Sequence, residues 1–139
     1  MSKISIIIGQ FLLGLYFLIP GIRKFTTSEK LVAYMQSHDI AFAPQLLIFA
    51  GAVSIIGGLL LMSGRHVKLV AYGFVVYILL VNFMLHNFWA MSDDMVPHEM
   101  QNFVKNLAIM AGLLVVAGYA PSRRPSLNGW WKSDKSLNE

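Results

Sequence analysis

The chain has 139 residues, of which 56% are hydrophobic and 13% charged, whereas soluble domains carry about 25% charged residues. It contains no cysteine, which excludes disulfides, thiolate nucleophiles and iron–sulfur clusters held by thiolates. Its net charge of +4 lies mostly in loops and the tail and gives no argument for nucleic-acid binding. The composition predicts one small membrane domain, in which any redox role depends on a cofactor or a partner protein.

Four long apolar blocks follow in chain order, each close to the about 20 residues that a helix needs to cross the hydrocarbon layer. They cover approximately residues 4–22, 44–62, 67–89 and 103–120. An open sheet would leave backbone groups unpaired in lipid, and no alternating pattern typical of a barrel is present. We therefore predict an all-α bundle of four transmembrane helices over residues 1–120, followed by a basic cytoplasmic tail over residues 121–139.

The first apolar block follows Lys3, as the apolar part of a secretory signal does. Residues 21–25, however, read Gly-Ile-Arg-Lys-Phe, where a signal would have the small residues of a cleavage site. We expect this block to be retained as a spanning helix. The connection over residues 25–43 is too long for a tight turn. It is compatible with an ordered loop or with a short amphipathic helix at the membrane interface, capped by Thr27 or Ser28.

Small residues recur every four positions on two of the predicted helices. Ala50, Ser54 and Gly58 form such a stripe on the second helix, and Ala108 and Gly112 repeat the spacing on the fourth. Small side chains allow two helix backbones to approach closely in a membrane. The pattern predicts packing within the bundle, and the alternative is a contact between two copies in a homo-oligomer.

The orientation follows from the distribution of Lys and Arg near the helix ends, because cytoplasmic loops carry an excess of both. Seven of the eleven lie on the predicted side of the termini: Lys3, Arg65, Lys68, Arg123, Arg124, Lys132 and Lys135. We therefore expect both termini in the cytoplasm. The tail is expected to lie against anionic lipid head groups, with Trp130 and Trp131 as interface anchors, and His66 is expected to be solvated.

Polar residues gather at the opposite ends of the predicted helices. Lys24 ends the first, His86 lies near the outer end of the third, and Lys105 and Asn106 open the fourth, while the loop between them carries Asp93, Asp94, His98 and Glu99. One interpretation is structural, with the lysines snorkelling or pairing with these carboxylates. The other is a site for a head group or a quinone ring, in which His86 donates a hydrogen bond and a carboxylate exchanges the proton.

A metal site is not predicted, since His86 and His98 lack a recognised ligand spacing. The proposed ligand-binding residues are His86, Lys105, Asn106, Lys24 and Asp93. His86 and Lys105 are expected to contact the ligand, Asp93 to carry a proton, and the other two to support them. No catalytic residue is assigned, and a channel is disfavoured because no charged residue lies at mid-membrane.

Several short motifs together resemble the DoxX family of small four-helix membrane proteins. They are Gly-Ile-Arg-Lys-Phe at residues 21–25, Gly-Gly-Leu-Leu-Leu at 57–61, His-Asn-Phe-Trp at 86–89, Phe-Val-Lys-Asn-Leu-Ala at 103–108 and Gly-Leu-Leu at 112–114. The resemblance implies a bundle with cytoplasmic termini and matches the family's recurrent polar positions to Lys24, His86, Lys105 and Asn106. One departure is Ser54, where many members have a glutamate.

The resemblance also implies an association with membrane oxidoreductase systems, including quinone-linked oxidation of sulfur compounds. We therefore expect an accessory inner-membrane subunit that binds a quinone or docks an oxidoreductase, with the lipid bilayer and a redox protein as partners. The alternative from the same resemblance is a non-catalytic scaffold or assembly factor, which would hold a partner membrane protein through its small-residue helix faces.

Overall fold

The structure is a computed structural model that describes residues 2–123 and 129–134. This part of the chain folds into α1 (Ser2–Thr26), α2 (Ser28–Gln36), α3 (Ala43–Ser63), α4 (Val67–Leu85) and α5 (Val96–Tyr119), with a 3₁₀ turn at Phe88–Ala90. All of the α-helices except the short α2 are long and apolar enough to cross a membrane. The prediction of an all-α fold with four transmembrane helices is confirmed.

Two helix boundaries differ from the prediction. The third spanning helix ends at Leu85, because His86 leaves helical geometry with φ −115° and ψ 33°. The fourth begins at Val96 and has Pro97 and Glu99 in its first turn, both of which favour a helix N-terminus. Lys105 therefore does not open α5, as predicted, but lies about two and a half turns inside it.

The connection between the first two spanning helices contains α2, so the amphipathic helix is present and not an extended loop. Thr27 occupies the N-cap position, but its side chain does not cap α2. Its hydroxyl instead donates to the carbonyl oxygen of Arg23 at 2.9 Å, on the last turn of α1. The expected capping interaction was wrong because the preceding helix offers an acceptor at i−4.

The spanning helices form two antiparallel pairs, α1 with α3 and α4 with α5, and the contacts between the pairs are fewer. Gly14 of α1 and Gly58 of α3 mark the closest approach within the first pair. The pairs are joined by Phe17 and Phe74, whose rings stack with centroids 3.7 Å apart. Both rings belong to the buried core. The looser meeting of α1 with α5 leaves room for a cavity.

We call the end of the bundle with Lys3, Gly64 and Pro121 the terminal face, and the end with Tyr34 and His86 the α2 face. Which side of the membrane each face meets remains a prediction, based on the distribution of Lys and Arg in the sequence. Arg124 and Lys135, which contributed to that distribution, lie outside the described residues.

At the terminal face, the segment 129–134 folds back onto the start of α4. The buried carboxylate of Asp134 accepts hydrogen bonds from the backbone N–H groups of His66, at 3.0 Å, and Val67, at 2.9 Å. It also pairs with Arg123 at 3.1 Å. The His66 ring contacts the carbonyl oxygen of Trp130, so the expectation of a merely solvated histidine was wrong.

Candidate functional site

A cavity of about 230 Å³ lies where α1 meets α4 and α5, in the half of the bundle nearer the α2 face. We call it the α1–α5 cavity. Its exposed lining residues, Tyr16, Pro20 and Lys105, form a mouth on the side of the bundle, whereas Ser54 and Asn106 are buried within it. Drug-sized ligands occupy pockets of about 300–1,000 Å³. This cavity is therefore large enough for a ring or head group, but not for a whole lipid.

Four of the five predicted ligand-binding residues line this one cavity: Lys24, His86, Lys105 and Asn106. They come from three separate parts of the sequence, and Ser54 joins them from α3. Asp93 does not line the cavity and is exposed in the connection before α5. Its neighbour Asp94 is also exposed, and a hydrogen bond with the Ser92 side chain lowers the pKa of Asp94.

The two lysines of the cavity have no carboxylate partner within residues 2–123 and 129–134. The Lys24 ammonium lies 5.9 Å from the centroid of the Tyr77 ring, within the range of a cation–π contact. Lys105 donates to Oδ1 of Asn102 at 3.2 Å. Among the described residues, contacts between a basic and an acidic side chain join His86 to Glu99 and Arg123 to Asp134, and neither includes these lysines. The cavity is consequently lined by positive charge.

Asn106 lies in a network of polar groups from three helices. Its Nδ2 donates to Oδ1 of Asn82 on α4 at 2.7 Å, and Asn82 in turn donates to the carbonyl oxygen of Phe103 at 3.2 Å. The Tyr16 hydroxyl approaches Oδ1 of Asn106 only at 3.5 Å, which is at the limit of a hydrogen bond. This oxygen therefore retains capacity to accept a bond from a ligand.

Ser54 is 1% exposed, and its hydroxyl has no hydrogen-bond partner in the described structure. Its Cβ packs against Gly21 of α1, which fixes the side chain at the α1–α3 contact. A buried hydroxyl without a partner costs about 1–3 kcal/mol. The group is thus a candidate to bind a polar atom of a ligand in the cavity that it lines.

Glu99 was predicted in a loop and lies instead in the first turn of α5, where it is 2% exposed. Its Oε2 lies 2.6 Å from Nδ1 of His86 and 3.4 Å from Nδ2 of Asn102. Its Oε1 lies 3.1 Å from the Tyr34 hydroxyl of α2. Burial, followed by the charge of Glu99, raises the pKa of Tyr34 to about 12. We call Tyr34, His86 and Glu99 the relay cluster.

Sequence reasoning missed the pairing of Glu99 with His86. A signal existed, since Pro97 followed by an acidic residue is typical of a helix N-terminus. A helix starting there places Glu99 at the α2 face, beside the end of α4. Tyr34 had no comparable signal, because its position depends on how α2 folds across the bundle.

The predicted packing residues lie in different surroundings. Ser54 and Gly58 are buried against α1, and Ala50 is half-buried. A Cβ on Gly112 would make an ordinary contact with Leu13, at 3.7 Å, and Ala108 is exposed.

Within residues 2–123 and 129–134, no group of three or more His, Cys, Asp or Glu side chains is arranged to hold a metal ion.

A larger cavity, of about 660 Å³, opens at the terminal face. Its lining is mostly apolar, and two of its polar side chains already have partners: Asp134 binds the start of α4, and Gln10 donates to the carbonyl oxygen of Leu61 at 2.6 Å. It contains none of the predicted ligand-binding residues. The α1–α5 cavity is therefore the better candidate site, despite its smaller volume.

Comparison with known proteins agrees with this assignment of the spanning region. The family model described as DoxX matches residues 5–87, a range that includes Lys24, Ser54 and His86 but not Lys105 or Asn106. Inner membrane protein YphA of Escherichia coli (strain K12) is 27% identical over 118 residues, covering 85% of this chain and 84% of that protein. No solved structure matches the chain significantly.

Proposed function

Because the chain belongs to the DoxX family and is a multi-pass inner membrane protein, we propose that it serves a membrane redox system by holding a quinone ring in the α1–α5 cavity. The chain itself contains no cysteine. In this proposal the quinone carries the electrons, a partner oxidoreductase exchanges them, and the protein supplies binding and orientation.

The observation that carries the proposal is the set of hydrogen-bond donors in the cavity that are not neutralised by a carboxylate. In the part of the chain that the structure describes, Lys24 and Lys105 lack carboxylate partners, and the Ser54 hydroxyl has no hydrogen-bond partner. Quinone carbonyl oxygens accept hydrogen bonds and gain negative charge on reduction. Positive charge and free donors beside the aromatic surfaces of Tyr16, Phe17 and Tyr77 suit such a ring.

The cavity's size and mouth support a membrane-soluble ligand. A volume of about 230 Å³ accommodates the head group, and the apolar tail of a quinone would leave through the mouth between α1 and α5 into the lipid. A lipid-soluble ligand also enters by the same route without crossing the polar α2 face.

The test is ligand binding by the purified protein in lipid nanodiscs, with decylubiquinone as the probe. We expect Lys105→Met to weaken binding about tenfold, the equivalent of one charge-assisted hydrogen bond, and His86→Ala to weaken it by removing part of the cavity wall. Lys68→Met, on the terminal face, and His98→Ala, on the exposed side of α5, are matched controls that keep wild-type affinity. Equal affinity in the wild type and all four variants would contradict the proposal.

Native mass spectrometry of protein extracted from its own membranes distinguishes the competing occupants. A quinone adduct that is lost in His86→Ala supports the redox role, and an anionic lipid adduct at the same lysines opposes it. A protein partner without a small adduct would favour the scaffold. That alternative would need a different surface from the one predicted, since Ser54 and Gly58 are already covered by α1.

A further inference from the structure

We propose that Glu99 is the group that exchanges a proton with the ligand of the α1–α5 cavity, through His86, and that Tyr34 keeps Glu99 hydrogen-bonded in both of its protonation states. The identity of the ligand rests on the proposed function. The titration of Glu99 does not, and it is tested separately below.

The first step is the unusual position of the carboxyl group. The Glu99 side chain is 3% exposed and belongs to a helix apolar enough to span the membrane. Ionisable groups in such segments are costly and mark proton relays or ligand pathways by default. Here the cost is offset by three hydrogen-bond donors, from Tyr34, His86 and Asn102.

The second step is the Tyr34 hydroxyl, which lies 3.1 Å from Oε1 of Glu99 and also 3.1 Å from the carbonyl oxygen of Leu85. A hydroxyl has one hydrogen and two acceptor lone pairs. When Glu99 is a carboxylate, the hydroxyl donates to it. When Glu99 is protonated at Oε2, Oε1 still accepts a hydrogen bond from the hydroxyl; when it is protonated at Oε1, the hydroxyl turns to donate to Leu85 and accepts the hydrogen bond from Glu99. Both states are therefore satisfied without movement of the backbone.

The third step is the link to the cavity through His86, which both lines the cavity and contacts Glu99. A carboxylate only accepts hydrogen bonds, so Nδ1 of the neutral His86 ring carries the hydrogen and Nε2 is left as an acceptor. A ligand hydroxyl then transfers its proton to Nε2 as its O–H bond breaks, and the Nδ1 proton passes to Oε2 of Glu99. The ligand becomes an anion, the histidine remains neutral, and no electrons move.

The surroundings favour this direction of transfer. Lys24 and Lys105 line the same cavity and attract the anion that remains. Asn102, which donates to Glu99, also contacts Lys105. A further titratable neighbour is His38, whose ring lies 4.5 Å from that of Tyr34, centroid to centroid. Asp93, the carrier expected from the sequence, is outside the cavity.

The first experiment is an infrared titration of the purified protein without ligand. In the wild type, a carboxylic acid C=O band should appear on acidification and be absent from Glu99→Gln. In Tyr34→Phe the band should remain but shift in frequency and titrate at a different pH, because one partner of Glu99 is lost. Asp94→Asn is the control and leaves this band unchanged. An identical band in Glu99→Gln would overturn the proposal.

The second experiment adds decylubiquinol or decylubiquinone at a pH where Glu99 is ionised. The quinol should produce the Glu99 acid band and the quinone should not. Glu99→Gln should give no acid band with either probe and should bind the quinol about tenfold more weakly than the wild type does. Quinol binding without the band overturns the relay alone. Failure of the wild type to bind either probe overturns the quinone function, while the ligand-free titration still decides whether Glu99 exchanges protons.

Discussion

Gly14 and Gly58 lie so close that a Cβ atom on Gly58 would stand 2.7 Å from the carbonyl oxygen of Gly14, and one on Gly14 2.6 Å from that of Gly58. Both obstacles are backbone atoms, which cannot rotate away. The contact between α1 and α3 therefore requires glycine at both positions, as expected where small residues allow membrane helices to approach.

Gly58→Ala should consequently destabilise the protein by about 1–3 kcal/mol, the usual cost of overpacking. The measurement is the unfolding midpoint in detergent, with unfolding monitored by circular dichroism. Gly73→Ala on α4 is the matched control, because no atom lies within 4 Å of the added methyl group. Alanine favours a helix more than glycine does, by about 1 kcal/mol, so Gly73→Ala should not lose stability, and an equal loss in both variants would contradict the role given to the α1–α3 contact.

Ser54→Ala is expected to act in opposite directions on stability and on binding. Without ligand, it removes a buried hydroxyl that has no partner, so the free energy of unfolding should rise by about 1 kcal/mol. With decylubiquinone, it removes a donor, and affinity should fall roughly threefold to tenfold. Ser63→Ala, at an exposed serine near the end of the same helix, should change neither the free energy of unfolding nor the affinity for decylubiquinone. A lower stability of Ser54→Ala would mean that the hydroxyl is satisfied by a water.

Asp134→Ala should release the segment 129–134 from the terminal face. The variant loses two hydrogen bonds at the start of α4 and the pair with Arg123, and loss of an N-cap alone costs about 0.5–2 kcal/mol. Limited trypsin digestion should then cleave faster after Lys132. Asp94→Ala, at an exposed carboxylate on the α2 face, is the control and should leave cleavage unchanged.

Alkaline pH should destabilise the fold through Tyr34. Its pKa is raised from 10.0 to about 12 in the folded protein, so between these values the folded state holds a proton that the unfolded state has lost. Stability is therefore fully present below pH 10.0 and falls as the pH rises towards about 12. Tyr34→Phe should flatten this part of the profile, measured as unfolding midpoint against pH. Tyr72→Phe, on the exposed surface of α4, should retain the wild-type slope.

The architecture could be predicted well from the sequence, because spans of about 20 apolar residues have few alternatives in lipid. All four spans are present in the structure. The predicted ends of the helices were less accurate, because a hydropathy pattern does not identify polar residues as part of a helix. Residues 96–102 were assigned to a loop for this reason, although they form the first turns of α5.

The candidate site was predicted in part. Lys24, His86, Lys105 and Asn106 were grouped because their helix ends share one side of the membrane, and all four line one cavity. Glu99 and Tyr34 were not included, since their partnership depends on the path of α2 across the bundle. Asp134 was missed for a similar reason. The two backbone N–H groups that donate to the Asp134 carboxylate are 67 and 68 residues away in the sequence. A polar tail also has no hydrophobic periodicity from which its fold could be predicted.

The cap on α4 also sets an order of events during synthesis. Asp134 is synthesised 67 residues after Val67, so the Val67 amide is without this partner while the spans between the two residues are made. The terminal face is completed when the last residues of segment 129–134 arrive. Translation that stops before Asp134 therefore yields four spans with an open α4 N-terminus, and such copies are chemically distinguishable from finished ones at that face.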